Sequence, residues 1–120
     1  MSIPELYAWL SAAPAFAHSP LHFQYLPARG GWSLSLPEEK RKQDILGRRS
    51  VDFTLRVSRR FSVTDTDGRL AVVRELNELA AWARGHPPAG FRVRSGGPAF
   101  LARSPAGTED FCLTLEVLSD

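Results

Sequence analysis

Apolar residues change their spacing several times along this chain, and each change predicts a change of element. Ile3, Leu6, Tyr7 and Leu10 recur at i, i+3, i+4 and i+7, one face of a helix. Ser2 and Glu5 are spaced as a capping box and Pro4 falls in the first turn, so a helix is predicted to about Ala13. Pro14 and the Ser19-Pro20 pair break it. Leu21–Leu26 is extended in character and bounded by Pro27, and after the turn residues Ala28-Arg29-Gly30-Gly31 the residues Trp32, Leu34 and Leu36 alternate with Ser33 and Ser35. That pattern predicts a hairpin of two strands. Pro37–Gln43 is charged, acids before bases, and is consistent with a loop or one helical turn.

The strictest alternation comes next. Val51, Phe53, Leu55 and Val57 interleave with Asp52, Thr54, Arg56 and Ser58, and the strand runs on into Arg59 and Arg60. Thr64–Gly68 has the composition of a turn, and from Leu70 the residues Val72, Val73, Leu76, Leu79, Ala80 and Ala83 mark a helix of about four turns. Gly85 and the Pro87-Pro88 pair close it. Three more extended pieces follow, Phe91–Ser95, Ala99–Arg103 and Phe111–Leu118, the last with Phe111, Leu113, Leu115 and Val117 on one face. The expectation is one α+β domain over residues 1–120: a mostly antiparallel sheet of about four to six strands with two helices packed on one face. A compact chain of this length has a radius of gyration near ~14 Å.

Composition narrows the classes. With 43% hydrophobic and 23% charged residues the chain is neither disordered nor a membrane protein in character. No apolar run approaches the ~20 residues that cross a bilayer, and the N-terminus lacks a signal peptide's basic and apolar regions, so a cytoplasmic site of synthesis and assembly is expected. The net charge of +2 comes from thirteen Arg and only two Lys against 13 acids, too mild an excess to require a nucleic-acid partner. Cys112, the single cysteine, lies in a strand pattern and is expected to be a buried, inert thiol.

The residues that usually carry chemistry are not arranged for it. His18, His22 and His86 lack ligand spacing, and Pro20 lies between the first two, so no metal site is expected. The glycine pairs Gly30-Gly31 and Gly96-Gly97 are turn residues and do not open a phosphate-binding helix. Asp65 and Asp67 before Gly68 are explained by capping and lack the remaining ligands of a calcium loop. No serine sits in a nucleophile elbow. The chain is therefore expected to be no enzyme and to need no cofactor. Trp9, Trp32 and Arg59 are instead of the types enriched at protein interfaces, and as candidate exposed residues they point to binding.

Three stretches carry a resemblance. Ile3-Pro4-Glu5-Leu6-Tyr7-Ala8-Trp9-Leu10 leads to Phe23-Gln24-Tyr25-Leu26 and Trp32-Ser33-Leu34; Ile45-Leu46-Gly47-Arg48-Arg49-Ser50-Val51-Asp52-Phe53-Thr54-Leu55 joins a glycine turn to a long strand; Asn77-Glu78-Leu79-Ala80-Ala81-Trp82 ends a helix. Together they resemble the phage tail-terminator and minor capsid (head-tail joining) proteins. This chain departs from that family's pattern in a shorter stretch between the second helix and the last strand and in its Arg content.

The resemblance implies a homo-oligomeric ring, usually a hexamer, in the virion at the head-tail interface, assembled in the bacterial host. Such a ring caps the tail tube, stops its elongation and docks on the head-tail connector, and DNA passes through its lumen without specific binding. A ring needs a heterologous interface that closes by rotation. Candidate contacts are the Pro37–Arg49 segment and the Ser104–Asp110 loop, with Arg48, Arg49, Arg56, Arg59, Arg60, Glu109 and Asp110 as candidate interface residues. Alternatives are another head-tail connector or minor capsid protein, or a small Arg-rich nucleic-acid-binding module in which Arg56, Arg59, Arg60, Arg92 and Arg94 would serve phosphates while Phe61 and Phe91 stack on bases.

Overall fold

The computed structural model describes residues 1–62 and 65–120, so Thr64, the first residue of the turn expected at Thr64–Gly68, lies outside the described residues. Helix α1 spans Ile3–Ser11 and a 3-10 turn follows at Pro14–Phe16. The capping box forms as the sequence predicts: the Glu5 amide donates to Ser2 Oγ at 3.2 Å and the Ser2 amide to Glu5 Oε1 at 3.1 Å. Strands β1 (Leu21–Phe23), β2 (Gly31–Leu34), β3 (Glu38–Gln43) and β4 (Arg49–Ser62) precede helix α2 (Thr66–Gly85), and β5 (Phe91–Ser95), β6 (Ala99–Arg103) and β7 (Thr108–Ser119) complete the chain. Among the described residues this is an α+β fold with one mostly antiparallel sheet of seven strands and two α-helices.

The sheet is organised by its two long strands. β4 and β7 pair antiparallel from Phe53 opposite Val117 to Ser62 opposite Thr108. β2 and β3 share the other edge of β4, β5 and β6 share the outer edge of β7, and β1 lies outside β2. Alternation fixes which face is core: Phe53, Leu55 and Val57 on β4 meet Leu113, Leu115 and Val117 on β7, all buried under Leu6, Leu10, Leu76 and Leu79 of the helices. Both helices thus feed one apolar cluster and leave the opposite sheet face uncovered by a helix.

Four expectations change. β1 and β2 are not a hairpin: they pair parallel, Leu21 beside Trp32 and Phe23 beside Leu34. Gln24 takes φ +55° and ends the strand, Pro27 has no N–H to give a ladder, and Gly30 and Gly31 at φ +150° and +146° bring the chain back alongside. A Cβ on Gly31 would stand 3.1 Å from Pro27 Cγ, so the return loop packs as tightly as glycine allows. The charged Pro37–Gln43 segment is mostly strand β3, fully solvated and paired with β4. Helix α2 begins one turn earlier than expected, because Asp65 caps it by accepting from the Gly68 amide at 2.8 Å. Cys112 is half-buried, on the sheet face that carries no helix.

The radius of gyration is 15.3 Å and the extents are 55 × 24 × 22 Å, longer than a compact chain of this length. β4 accounts for the elongation. At about 3.3 Å per residue its fourteen residues run roughly 46 Å.

Candidate functional site

The end of β4 that outruns the sheet forms an arm. β7 pairs with β4 only from Phe53 onward, so Arg49–Asp52 have β3 as their ladder partner, and beyond Val51, which packs on the edge of the core, the β3–β4 hairpin stands clear of it. Its turn is tightly specified by Asp44. Asp44 Oδ1 accepts from the Leu46 and Arg48 amides, each at 2.9 Å, and Oδ2 accepts from Arg48 Nε at 2.8 Å. Gly47 supplies the left-handed residue at φ +81°. The Arg48 amide, first among these donors, holds the Asp44 carboxyl below its usual range. What the turn presents is apolar: Ile45 is 99% and Leu46 75% exposed.

The arm is also basic and anchored. Lys40, Arg41, Lys42, Arg48 and Arg49 crowd its outer half, with Asp44 as the turn's own acid. Lys42 Nζ meets Asp52 Oδ2 at 2.6 Å, and that hydrogen bond is the main reason the Asp52 carboxyl is held below its usual range. Asp52 Oδ1 also accepts from the Ser119 amide at 2.9 Å, which ties the arm's base to the end of β7.

The other end of the sheet holds three ionic nodes. Arg59 faces the helices, lying 5.2 Å from the Trp32 ring and donating through Nε to Glu75 of α2 at 3.0 Å. Arg60, on the opposite face, makes a fork to Asp110 at 2.7 and 2.8 Å, and Asp110 holds the guanidinium's pKa above its usual value. Glu109 is 1% exposed and accepts from Arg69 of α2 at 3.0 Å and from Arg103 of β6 at 2.8 Å. The Arg69 hydrogen bond, reinforced by Arg103, holds the Glu109 carboxyl below its usual range against the opposing cost of burial.

Beside Arg59 a cleft of about 440 Å³ opens between the 3-10 turn and α2. Pro14 and Ala15 form one wall, Leu79 and Trp82 the other, and Trp32 the floor. Glu75 and Glu78 stand at its rim. Glu75 is partnered by Arg59, whereas Glu78 is exposed and has no ion-pair partner among the described residues.

The seven candidate residues therefore do not converge on one site. Arg48 and Arg49 belong to the arm, Arg56 is exposed on the helix-free face, and Arg59, Arg60, Glu109 and Asp110 lie in the ionic nodes at the far end. Glu109 and Asp110 are not loop residues: both are buried in β7. Trp32 is likewise core, and Trp9 is half-buried against Trp82, its Nε1 donating to the His86 carbonyl at 2.7 Å. The exposed aliphatic pair Ile45-Leu46 falls within the candidate contact segment Pro37–Arg49, a candidate for its polar character, and the cleft went unmarked in the sequence. The signal for the pair was two adjacent large aliphatics inside a polar, glycine-containing turn.

The components of a nucleic-acid platform are separated. Arg56, Arg92 and Arg94 occupy the helix-free face by register, while Phe61 is buried and Phe91 half-buried on the helix side. Among the described residues no group of three or more His, Cys, Asp or Glu side chains is placed to hold a metal ion. No helix of the described residues is long and apolar enough to cross a membrane.

No protein-family model, curated protein or solved structure matches this chain.

Proposed function

We propose that this protein is a structural subunit of a phage or prophage tail, a terminator or tail-completion protein that forms a ring on the tail tube, stops its elongation and offers a docking surface to the head connector. The observation that carries the assembly role is the arm: a hairpin with a hydrogen-bonded turn that projects from the core and exposes Ile45 almost fully and Leu46 for the most part. Fully burying two such side chains is worth roughly 3–6 kcal/mol, so the tip gains by finding a partner surface. The tip and the cleft between the 3-10 turn and α2 lie toward different ends of an elongated molecule, an arrangement that suits head-to-tail association. The resemblance of the Ile3–Leu10, Ile45–Leu55 and Asn77–Trp82 stretches to tail-terminator proteins supports placing that assembly at the tail end.

In this reading DNA passes through the ring without specific contacts, and the mixed charge of the helix-free face, where Arg94 is neutralised by Glu116 at 3.0 Å, suits such passage. The test is deletion of the gene from the phage. Tails of uncontrolled length that fail to join heads are expected by negative-stain electron microscopy. Tails of normal length, joined to heads, overturn the reading.

A further inference from the structure

The arm and the cleft have complementary chemistry. The arm tip offers two adjacent aliphatic side chains flanked by Arg48, Lys42 and Arg41, which are bridged to Asp44, Asp52 and Glu39, and by Arg49, which makes no ion pair among the described residues. The cleft offers a recess walled by Pro14, Leu79 and Trp82, lined also by Arg59 in its bridge to Glu75, with Glu78 at its mouth. An apolar plug with one unbridged base beside it, Arg49, thus matches an apolar socket with one unbridged acid at its mouth, Glu78, among the described residues. The tip cannot reach the socket of its own chain. Arg49, at the arm's end of β4, and Arg59, beside the socket, are ten residues apart on one continuous strand, about 33 Å.

From this geometry we propose that the Ile45-Leu46 tip of one copy seats in the cleft between the 3-10 turn and α2 of the next copy. The choice of a second copy as occupant rests on the ring-subunit reading above. The contact is heterologous, because residue 46 of one chain meets residue 78 of its neighbour while the neighbour's own tip stays free for a third. Repetition gives a closed ring or an open string according to the rotation at each step. The surface buried by two side chains and their flanks is small for a protein interface, so each contact is weak alone and closure, or a tube end that gathers the copies, supplies the rest.

Disulfide trapping tests this. Leu46 and Glu78 are both exposed, so L46C and E78C, made with Cys112 replaced by Ser, leave the core untouched; far-UV circular dichroism checks the fold. Oxidation of the L46C/E78C double variant at millimolar concentration is expected to give a ladder of covalent multimers. An equal mixture of the two single variants is expected to stop at the L46C–E78C dimer. Tip-to-tip dimers of L46C alone would show that the aliphatic pair meets another tip, and would overturn the proposal. Absence of any E78C-dependent product at that concentration would overturn it as well, leaving another virion protein as the arm's partner. As a second readout, the tryptophan emission of the unmodified protein, in which Trp32 and Trp82 line the socket, is expected to shift to shorter wavelength with rising concentration. I45D/L46D is expected to abolish that shift, and a shift that persists counts against the socket.

The two readings fail separately. Overlength tails in the deletion phage with no ladder would retain the terminator function and remove this contact. A ladder with normal tails would retain the contact and remove the function.

Discussion

Glu109 shows how a residue's environment can reverse the expectation set by its charge. In the sequence it sits beside Asp110 at the end of a polar, glycine-containing stretch, and both carboxylates suggest a solvated loop. The structure seals Glu109 between Arg69, forty residues upstream, and Arg103, six residues upstream. Both guanidiniums favour the charged carboxylate, so its folded pKa lies below the ordinary value of 4.5 that the unfolded chain retains. Between those two values the unfolded state binds more protons than the folded state, and stability therefore rises with pH across that window. The stabilisation is fully present above about pH 4.5 and is lost as pH falls through the lowered folded value. Urea unfolding at a series of pH values is expected to show a nearly flat stability above pH 5 and a decline below pH 4.5. In Glu109→Gln the midpoint is expected to fall at pH 7, and the acid decline to become shallower. An unchanged acid slope in that variant would mean that other carboxylates, Asp52 and Asp44 among them, dominate the transition. A second residue-scale prediction concerns packing: Leu55 is fully buried at the centre of β4, and Leu55→Ala is expected to cost about 2–5 kcal/mol by chemical denaturation.

Among the elements, legibility in the sequence follows from whether one face is buried. β5 and β6 fall where turn residues place them, β4 runs two residues beyond the expected Val51–Arg60 at each end, and β7 extends three residues earlier than its apolar pattern. β3 has no apolar residue in Glu38–Gln43 and is solvated on both faces, so no period marks it; only its partner Arg49–Thr54 makes it a strand. The first turn of α2, Thr66-Asp67-Gly68-Arg69, is composed of turn-favouring and polar residues, and helical structure there depends on the Asp65 cap. The hairpin expectation failed at β1 because Gln24 at φ +55° is invisible in composition, while Pro27 and the glycine pair serve a return loop as well as they serve a hairpin turn. Helix α1 is the converse case, since its capping box is fully visible and fully formed. Ser2→Ala is expected to lower stability by about 1 kcal/mol, and restoring the cap with Thr to recover most of it, both by thermal denaturation. The arm's turn makes a parallel prediction. Gly47→Ala forces an L side chain into φ +81°, at a cost of about 1 kcal/mol or more, and among the described residues only the Gln43 side chain comes within van der Waals distance of the new methyl group. The penalty is conformational, so Gly47→Asn is expected to be tolerated better than Gly47→Ala.

At the scale of the whole molecule, the proposed function places stability and assembly on different parts of the same strand. From Phe53 to Phe61, β4 is locked between β7 and the strands on its other edge, and its inward residues are core. From Arg49 to Asp52 it belongs to the arm, whose tip touches none of that core. The elongation this produces, 55 Å against 24 and 22 Å, costs the molecule compactness without adding to its core. Two adjacent, largely exposed aliphatics on a hydrogen-bonded turn add nothing to the stability of the monomer. Replacing Ile45 and Leu46 together by Ser separates the two roles. Because neither side chain contributes to the packed cluster, the melting temperature of the dilute protein is expected to stay within about a degree of the unmodified chain. Under the proposed terminator function, the same variant, supplied in place of the natural gene, is expected to leave tails overlength. A melting temperature that drops by many degrees would show that the tip folds back and stabilises the monomer. Tails of normal length would show that the arm is not what holds the ring together.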